Sequence, residues 1–337
     1  MFILTILLLL LVGVQLSLYG KEINFSYYVY RFISVFVFIW VCEIVRLKFE
    51  YKHLRYLKAS FYFVFFYTLY SAFSTVGHYE FLLIPGTASN GNISPIGTLR
   101  AGTFGEGNYL GTYCALITMI FIKNIKIVMM AFVLCVLSFS PIPLVLIVLL
   151  LLHVHFLEKK FGWRKIRWWY LFFFLIILAV FPFYISEYIR HSIDNYVNAE
   201  EYNLKTSFVE RTDFIISGLR MWLYSPIVGC GLGQFPELLS KYATLPHLVL
   251  NEDNFRYIAN NNIAEILSEQ GLIGLAYYIY LLKSISNDFL RKRHVSNIMC
   301  LFLLGLTMPS FFQIIIAGFI GILRSNEYKM KMGPENL

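Results

Sequence analysis

Arg211 is the side chain whose surroundings most suggest chemistry. It sits in Glu210-Arg211-Thr212-Asp213, followed by Arg220-Met221-Trp222, then Pro226 and the glycines Gly229, Gly231 and Gly233. Residues 208–224 have the pattern of an amphipathic helix. At about 100° per residue, Arg211 shares a face with Ile215, Gly218 and Trp222. That face is apolar, so the spacing predicts an inward Arg211. An unpaired charge there is costly. Its partner is an anion, either a carboxylate such as Glu210 or Glu252, or a ligand phosphate. Arg220 lies half a turn away, with Asp213 and Ser217, where Asp213 can neutralise it. Pro226 stops the helix, and the glycines mark a tight turn. Gly231, Gly233 and Arg220 are candidate substrate contacts.

A second cluster is Arg100-Ala-Gly102-Thr-Phe104-Gly-Glu-Gly-Asn108-Tyr-Leu-Gly111. Its glycines permit close backbone approach, and it ends where an apolar segment begins. Free N–H groups beside a helix start favour anions, and the Arg100 fork suits phosphate. Asn108 joins it as a candidate contact. The bland alternative is a loop packed on a membrane, with Arg100 reaching lipid headgroups. The phosphate-loop pattern GxxxxGK[ST] is absent.

A third cluster is Asn260-Asn261-Asn262-Ile-Ala-Glu265-Ile-Leu-Ser-Glu269-Gln-Gly271-Leu-Ile-Gly274. The asparagines are good caps for a helix starting there. Asn260, Asn261 and Glu265 are also candidate substrate contacts, because the positive end of that helix faces the same pocket. Glu265 and Glu269 share a helical face. Inside a membrane helix they must be buried against protein or water. Glu265 is placed to compensate the dipole and Glu269 to pair with a basic residue. His78, His191 and His247 lack a second ligand at metal spacing, and no GxSxG or HExxH occurs. The five cysteines show no ligand spacing, so neither a metal site nor a disulfide framework is expected.

The elements that must position these clusters are membrane spans. The chain of 337 residues is 58% hydrophobic and 14% charged, well below the roughly 25% charge of a soluble domain. The net charge of +8 does not suggest nucleic acid, because the basic residues fall in short runs between apolar segments. Those segments are 2–19, 28–45, 59–77, 109–122, 125–139, 142–157, 168–186 and 263–282, plus 296–323. The last is broken by Met308-Pro309-Ser310 and is expected to form a tight helical hairpin. Residues 1–19 lack the basic start of a signal peptide and are expected to be a retained first span.

Ten crossings from a cytoplasmic N-terminus put 19 of the 28 Lys and Arg residues inside. Nine crossings would put the basic tail outside. Arg31 is the one basic residue well inside a span. The fold class expected is therefore all-α, a polytopic integral membrane protein with about ten transmembrane helices. Residues 1–186 form an N-terminal bundle with an outside loop at 78–108, 187–261 a large outside loop, and 262–337 the last helices and a cytoplasmic tail. The large loop holds nine acids and six Lys or Arg, the polar island of the chain.

At these clusters the chain resembles the O-antigen polymerase/ligase superfamily of bacterial envelope enzymes, and most of all the Wzy-type polymerases. Arg100, Gly102, Phe104, Asn108 and Gly111 match an outside signature ahead of a span. Arg211, Pro226, Gly229, Gly231, Gly233 and Phe235 match the start of the periplasmic loop. Asn261, Glu265, Glu269, Gly271 and Gly274 match its close. The chain departs at Asn260, where the ligases resemble one another in having a His. That departure favours polymerase over ligase.

The resemblance implies a GT-C-like, metal-independent glycosyltransferase of the bacterial inner membrane, without cofactor. Its donor would be an oligosaccharide on undecaprenyl diphosphate, and its acceptor a sugar hydroxyl on a second lipid-linked repeat. A separate chain-length-regulating co-polymerase is an implied partner. Arg211 and Arg100 would stabilise the departing diphosphate. Glu210, Asp213, Glu252 and Asp253 are candidates for a base. The alternatives are a ligase acting on lipid A-core and a polysaccharide flippase or transporter. Transporters place polar groups at the midplane, often in broken helices or inverted repeats, and no repeat is visible here.

Overall fold

The computed structural model describes residues 2–20, 23–77, 107–138, 141–157, 207–245, 259, 261–285, 301 and 314–325. Among them every regular element is a helix, as an all-α class requires. In chain order these are α1 (Phe2–Tyr19), α2 (Phe25–Lys48), a 3-10 turn (Tyr51–His53), α3 (Leu54–Gly77), α4 (Gly107–Ile120), α5 (Ile125–Leu137) and α6 (Pro141–Leu157). They continue as α7 (Ser207–Tyr224), α8 (Phe235–Tyr242), α9 (Asn262–Ile285) and α10 (Ile314–Arg324). The apolar runs at 2–19, 28–45, 59–77, 109–122, 125–139, 142–157 and 263–282 each fall on one of these helices. The run at 168–186 and the hairpin around Met308-Pro309-Ser310 lie outside the described residues. Among the described residues, one helix, α2, is both long and apolar enough to cross a membrane, with a mean hydropathy of 1.8. The apolar helices α1, α4, α5 and α10 are shorter.

The helices meet through large side chains. Phe61, Leu110, Ile117, Ile120 and Ile127 of α3, α4 and α5 are fully enclosed, and Phe38 of α2 is enclosed in the same core. In contrast, α1 leaves Leu7, Leu9, Leu10 and Leu18 exposed along its length. The helix α2 is the central strut. It lies along α10 for much of its length and also touches α1. At its far end Glu43 is gripped by two arginines, Arg46 Nε at 2.8 Å and Arg324 Nη1 at 2.7 Å. At its near end Asn24 caps the helix by accepting from the Tyr27 N–H.

Residues 207–245 carry a small core of their own. Phe214, Met221, Cys230, Phe235 and Leu239 pack with Ala259 and Ala264 at the start of α9. Gly218 lies so close to Ala264 that an added Cβ would stand 3.2 Å from its Cβ and carbonyl oxygen. Small residues at this crossing let the two backbones approach.

Three expectations are corrected here. The buried face of α7 is not the one bearing Arg211 at its centre. It runs through Asp213, Phe214, Ser217, Gly218 and Met221, about a quarter turn from Arg211 at 100° per residue. Arg211 is half-buried at one edge of that face, and Arg220 is exposed at the other. Second, Asp213 does not neutralise Arg220. Asp213 is buried, and its oxygens accept from the Thr244 N–H at 3.0 and 3.1 Å, the Leu245 N–H at 3.3 Å and the Thr244 hydroxyl. Arg220 instead donates to the Tyr242 carbonyl at 2.9 Å. The carboxylate tolerates burial because backbone donors satisfy it. Third, the helix expected over 263–282 is not continuous. It breaks at Gly271, where φ is 61° and ψ is −153°. The short helix α8 follows the glycine turn and was not expected.

Candidate functional site

The broken helix and the glycine turn are made for each other. A regular helix would pair the Leu272 and Ile273 N–H groups with the carbonyls of Ser268 and Glu269. Here Leu272 donates to the Pro226 carbonyl at 2.9 Å and Ile273 to the Ile227 carbonyl at 3.2 Å. The released Ser268 carbonyl accepts from the Cys230 N–H at 2.7 Å. The released Glu269 carbonyl accepts from the Gln15 amide at 2.7 Å. No backbone group of these four is orphaned, as a break enclosed by protein demands. The approach is close: a Cβ on Gly271 would meet the Ile227 carbonyl oxygen at 2.4 Å, and one on Gly229 the Gln270 nitrogen at 2.4 Å.

The hairpin of α1 and α2 holds this junction from a third side. Gln15 is fully buried. Besides Glu269, its amide donates to the Val228 carbonyl at 2.6 Å. Its oxygen accepts from the Tyr28 hydroxyl at 3.1 Å and the Leu232 N–H at 3.3 Å. Gln234 accepts from the Asn24 N–H at 2.9 Å and donates to the Asn24 carbonyl at 3.2 Å. Tyr19 donates to Ser225 at 2.8 Å.

Beside the junction lies a buried charge cluster. Arg31 of α2 reaches two carboxylates four residues apart on α9. Its Nε contacts Glu269 at 3.1 Å, and its Nη2 contacts Glu265. Arg31 is 9% exposed, Glu265 2% and Glu269 3%, so among the described residues one guanidinium contacts two acids away from solvent. The N-terminal dipole of α9 also favours a negative charge at Glu265.

The expected site residues are distributed as follows. Arg211 lies four residues into α7, and among the described residues no carboxylate is within ion-pair distance of it. Gly231 and Gly233 lie in the turn, with positive φ of 116° and 70°. Gly233 backs onto the Tyr27 carbonyl. Asn261 caps α9 by accepting from the Ile263 and Ala264 N–H groups, both at 3.0 Å. Asn108 falls in the first turn of α4. Arg100 and Asn260 lie outside the described residues. The structure therefore places Asn261 and Glu265 at the start of α9, and sets Gly233 against Arg31, the partner of Glu265, while Gly231 faces Ile23 and Gln234. Sequence reasoning missed Gln15, Asn24, Gln234 and the link from Arg31 to Glu265 and Glu269.

Cys230 sits inside the junction, 3.2 Å from the Met221 carbonyl. Burial pushes its thiol up to about 11, with Lys241 opposing weakly. It is a protonated thiol near neutral pH, unsuited to nucleophilic work.

The interlocked turn and broken helix lie beside Arg31, Asn261 and Asn262. Comparison with known families names the class. The family model described as Wzy_C, O-antigen ligase, matches residues 127–279, from α5 to α9. The match covers a little under half of the chain and supports the resemblance to the O-antigen polymerase/ligase superfamily. Its members are bacterial, membrane-associated, glycosyltransferase-like enzymes of O-antigen and polysaccharide assembly that act on lipid-linked oligosaccharides. No curated protein matches the chain.

Proposed function

We propose that this chain is an O-antigen or polysaccharide polymerase of the inner membrane. It transfers a glycan from undecaprenyl diphosphate to a sugar hydroxyl of a second lipid-linked repeat, on the periplasmic face. The observation that carries the proposal is Arg211. It is half-buried at the edge of the α7 core, with no carboxylate partner among the described residues, a position from which its guanidinium can meet a departing diphosphate. A guanidinium supplies two donors in a fixed fork and stabilises developing phosphate charge without a metal. Arg100 is proposed to assist it, with Arg220, Asn108, Asn260, Asn261, Glu265, Gly231 and Gly233 as glycan contacts. Glu210, Glu252 and Asp253 remain candidates for a base, because Asp213 is engaged by residues 244–245.

Ten crossings with both termini cytoplasmic fit the contacts of α2. In that topology α2 and α9 both start outside, and α10 ends inside. Arg31 near the start of α2 meets Glu265 near the start of α9, and Glu43 near the end of α2 meets Arg324 at the end of α10. The polymerase is favoured over a ligase by Asn260, which stands where the ligases have a His. A flippase reading draws on the broken helix α9, since transporters use such breaks to bind ions. Here, however, the four groups released at the break are taken by the turn and Gln15.

The test is Arg211→Ala, assayed in a strain lacking the chromosomal gene. At equal protein level, long polymer should disappear, leaving lipopolysaccharide capped with a single repeat. Wild-type chain lengths in that variant refute the assignment. Accumulation of free lipid-linked polymer in the deletion strain marks a ligase instead.

A further inference from the structure

The guanidinium of Arg31 bridges two carboxylates from the first three turns of α9, and the whole cluster is buried. Among the described residues it pairs one arginine with two glutamates. Two carboxylates four residues apart on a helix face repel each other. Burial removes the solvent that would screen them. Without Arg31 the start of α9 would have to open toward water or rotate. The same face carries Asn262, three residues before Glu265. Asn262 is fully buried, and neither of its amide atoms has a hydrogen-bond partner among the described residues. A buried amide left unpaired calls for an explanation, and an absent ligand is one. The preceding residue, Asn261, spends its oxygen on capping the helix, which leaves Asn262 as the amide on this face with bonds to offer a sugar hydroxyl.

We propose that Arg31 is a positioning residue for glycan transfer. By clamping Glu265 and Glu269 it fixes the leading turns of α9, and with them the glycan-facing end that carries Asn261 and Asn262. Arg31 lies outside the residues 127–279 matched by the family model, so the assignment comes from its contacts. It rests on the proposed transfer reaction, but not on which acceptor is used.

The experiment is a thermodynamic cycle on the full-length protein in lipid nanodiscs, with the lipid-linked oligosaccharide as substrate. The variants are Arg31→Met, the pair Glu265→Gln with Glu269→Gln, and all three together. Arg31→Met alone should lower kcat by about tenfold or more with a much smaller change in KM, as expected when a group acts on the transition state rather than on uniform binding. In the glutamine background the same change should cost little further, because residues acting through one another are not additive. The triple variant removes the unpaired buried charge, so its melting temperature should recover relative to Arg31→Met while its kcat stays low. Wild-type kcat in the well-folded triple variant overturns the proposal and leaves Arg31 a purely structural ion partner. Full additivity also overturns it, since Arg31 would then act elsewhere. If Arg31→Met does not fold, Arg31→Lys keeps the charge but cannot fork to both acids. It should melt near wild type with kcat reduced, and wild-type kcat there overturns the proposal. Product analysis separates the two hypotheses. Transfer to lipid A-core in place of a second repeat refutes the polymerase assignment, while the cycle is read on that product with the same meaning. No glycan transfer by wild type refutes both.

Discussion

Gly271→Ala is the sharpest perturbation of the junction between the turn and α9. At φ 61° and ψ −153° the backbone is in a region essentially confined to glycine. Forcing alanine there costs about 1–3 kcal/mol in dihedral energy alone. The new Cβ would also stand 2.4 Å from the Ile227 carbonyl oxygen and 2.6 Å from the Gly229 nitrogen, both backbone atoms with little room to yield. Relief requires withdrawing the turn, which breaks the bonds from Leu272 and Ile273 to Pro226 and Ile227. Those two bonds contribute about 0.5–1.5 kcal/mol each. The sum is a loss of about 2–6 kcal/mol, before any strain that the turn absorbs. At roughly 2–4 °C per kcal/mol, the unfolding midpoint should fall by about 4 °C or more. The assay is tryptophan fluorescence of the detergent-solubilised protein at a fixed heating rate. Gly13→Ala is the control, because Gly13 lies in α1 with nothing within 4 Å of an added Cβ. A helix interior gains up to about 1 kcal/mol from that exchange. A Gly271→Ala midpoint equal to wild type, or an equal fall in Gly13→Ala, refutes the interlock.

Other consequences follow from single contacts. Asp213→Ala removes the acceptors of the Thr244 and Leu245 N–H groups and should release the segment after α8. The measurement is trypsin cleavage after Lys241, which should be several-fold faster than in wild type, and unchanged cleavage counts against the anchoring role. Cys230, with its thiol pushed up to about 11, should resist alkylation by iodoacetamide at pH 8 in the folded protein. Reactivity should rise as pH climbs toward that value, and fast labelling at pH 8 refutes its burial in the junction.

Much of the fold could be read from the chain because its signals are local. Long apolar runs became helices, and α7 ends at Tyr224, just ahead of Pro226. Glu269 demanded a basic partner, and Arg31 was conspicuous as a cation inside a span; the two meet at 3.1 Å. The errors have long-range causes. On a helical wheel Asp213 belongs outside, yet it is buried because Thr244 and Leu245, some thirty residues along the chain, donate to it. Gly271 sits in an apolar stretch of good helical periodicity, and only the turn at 226–230 reveals that the helix must open there. A fully buried Gln15 looks like a polar interruption in a leucine-rich span until its four partners are known.

These partners show that the stretch matched by the family model is not self-sufficient. Residues 127–279 contain the turn, α7, α8 and most of α9. They do not contain the amide that satisfies the Glu269 carbonyl, the guanidinium shared by Glu265 and Glu269, or the Asn24 backbone that Gln234 grips. Each of these comes from α1, α2 or the turn between them. Leaving a buried carbonyl or carboxylate unpaired costs more than the net gain from making the bond. The N-terminal hairpin therefore completes the candidate site. Substitutions at Gln15 and Arg31 belong with those at Arg211 when the activity is dissected: the first two hold α9 and the glycine turn, and the third is the one proposed to meet the substrate.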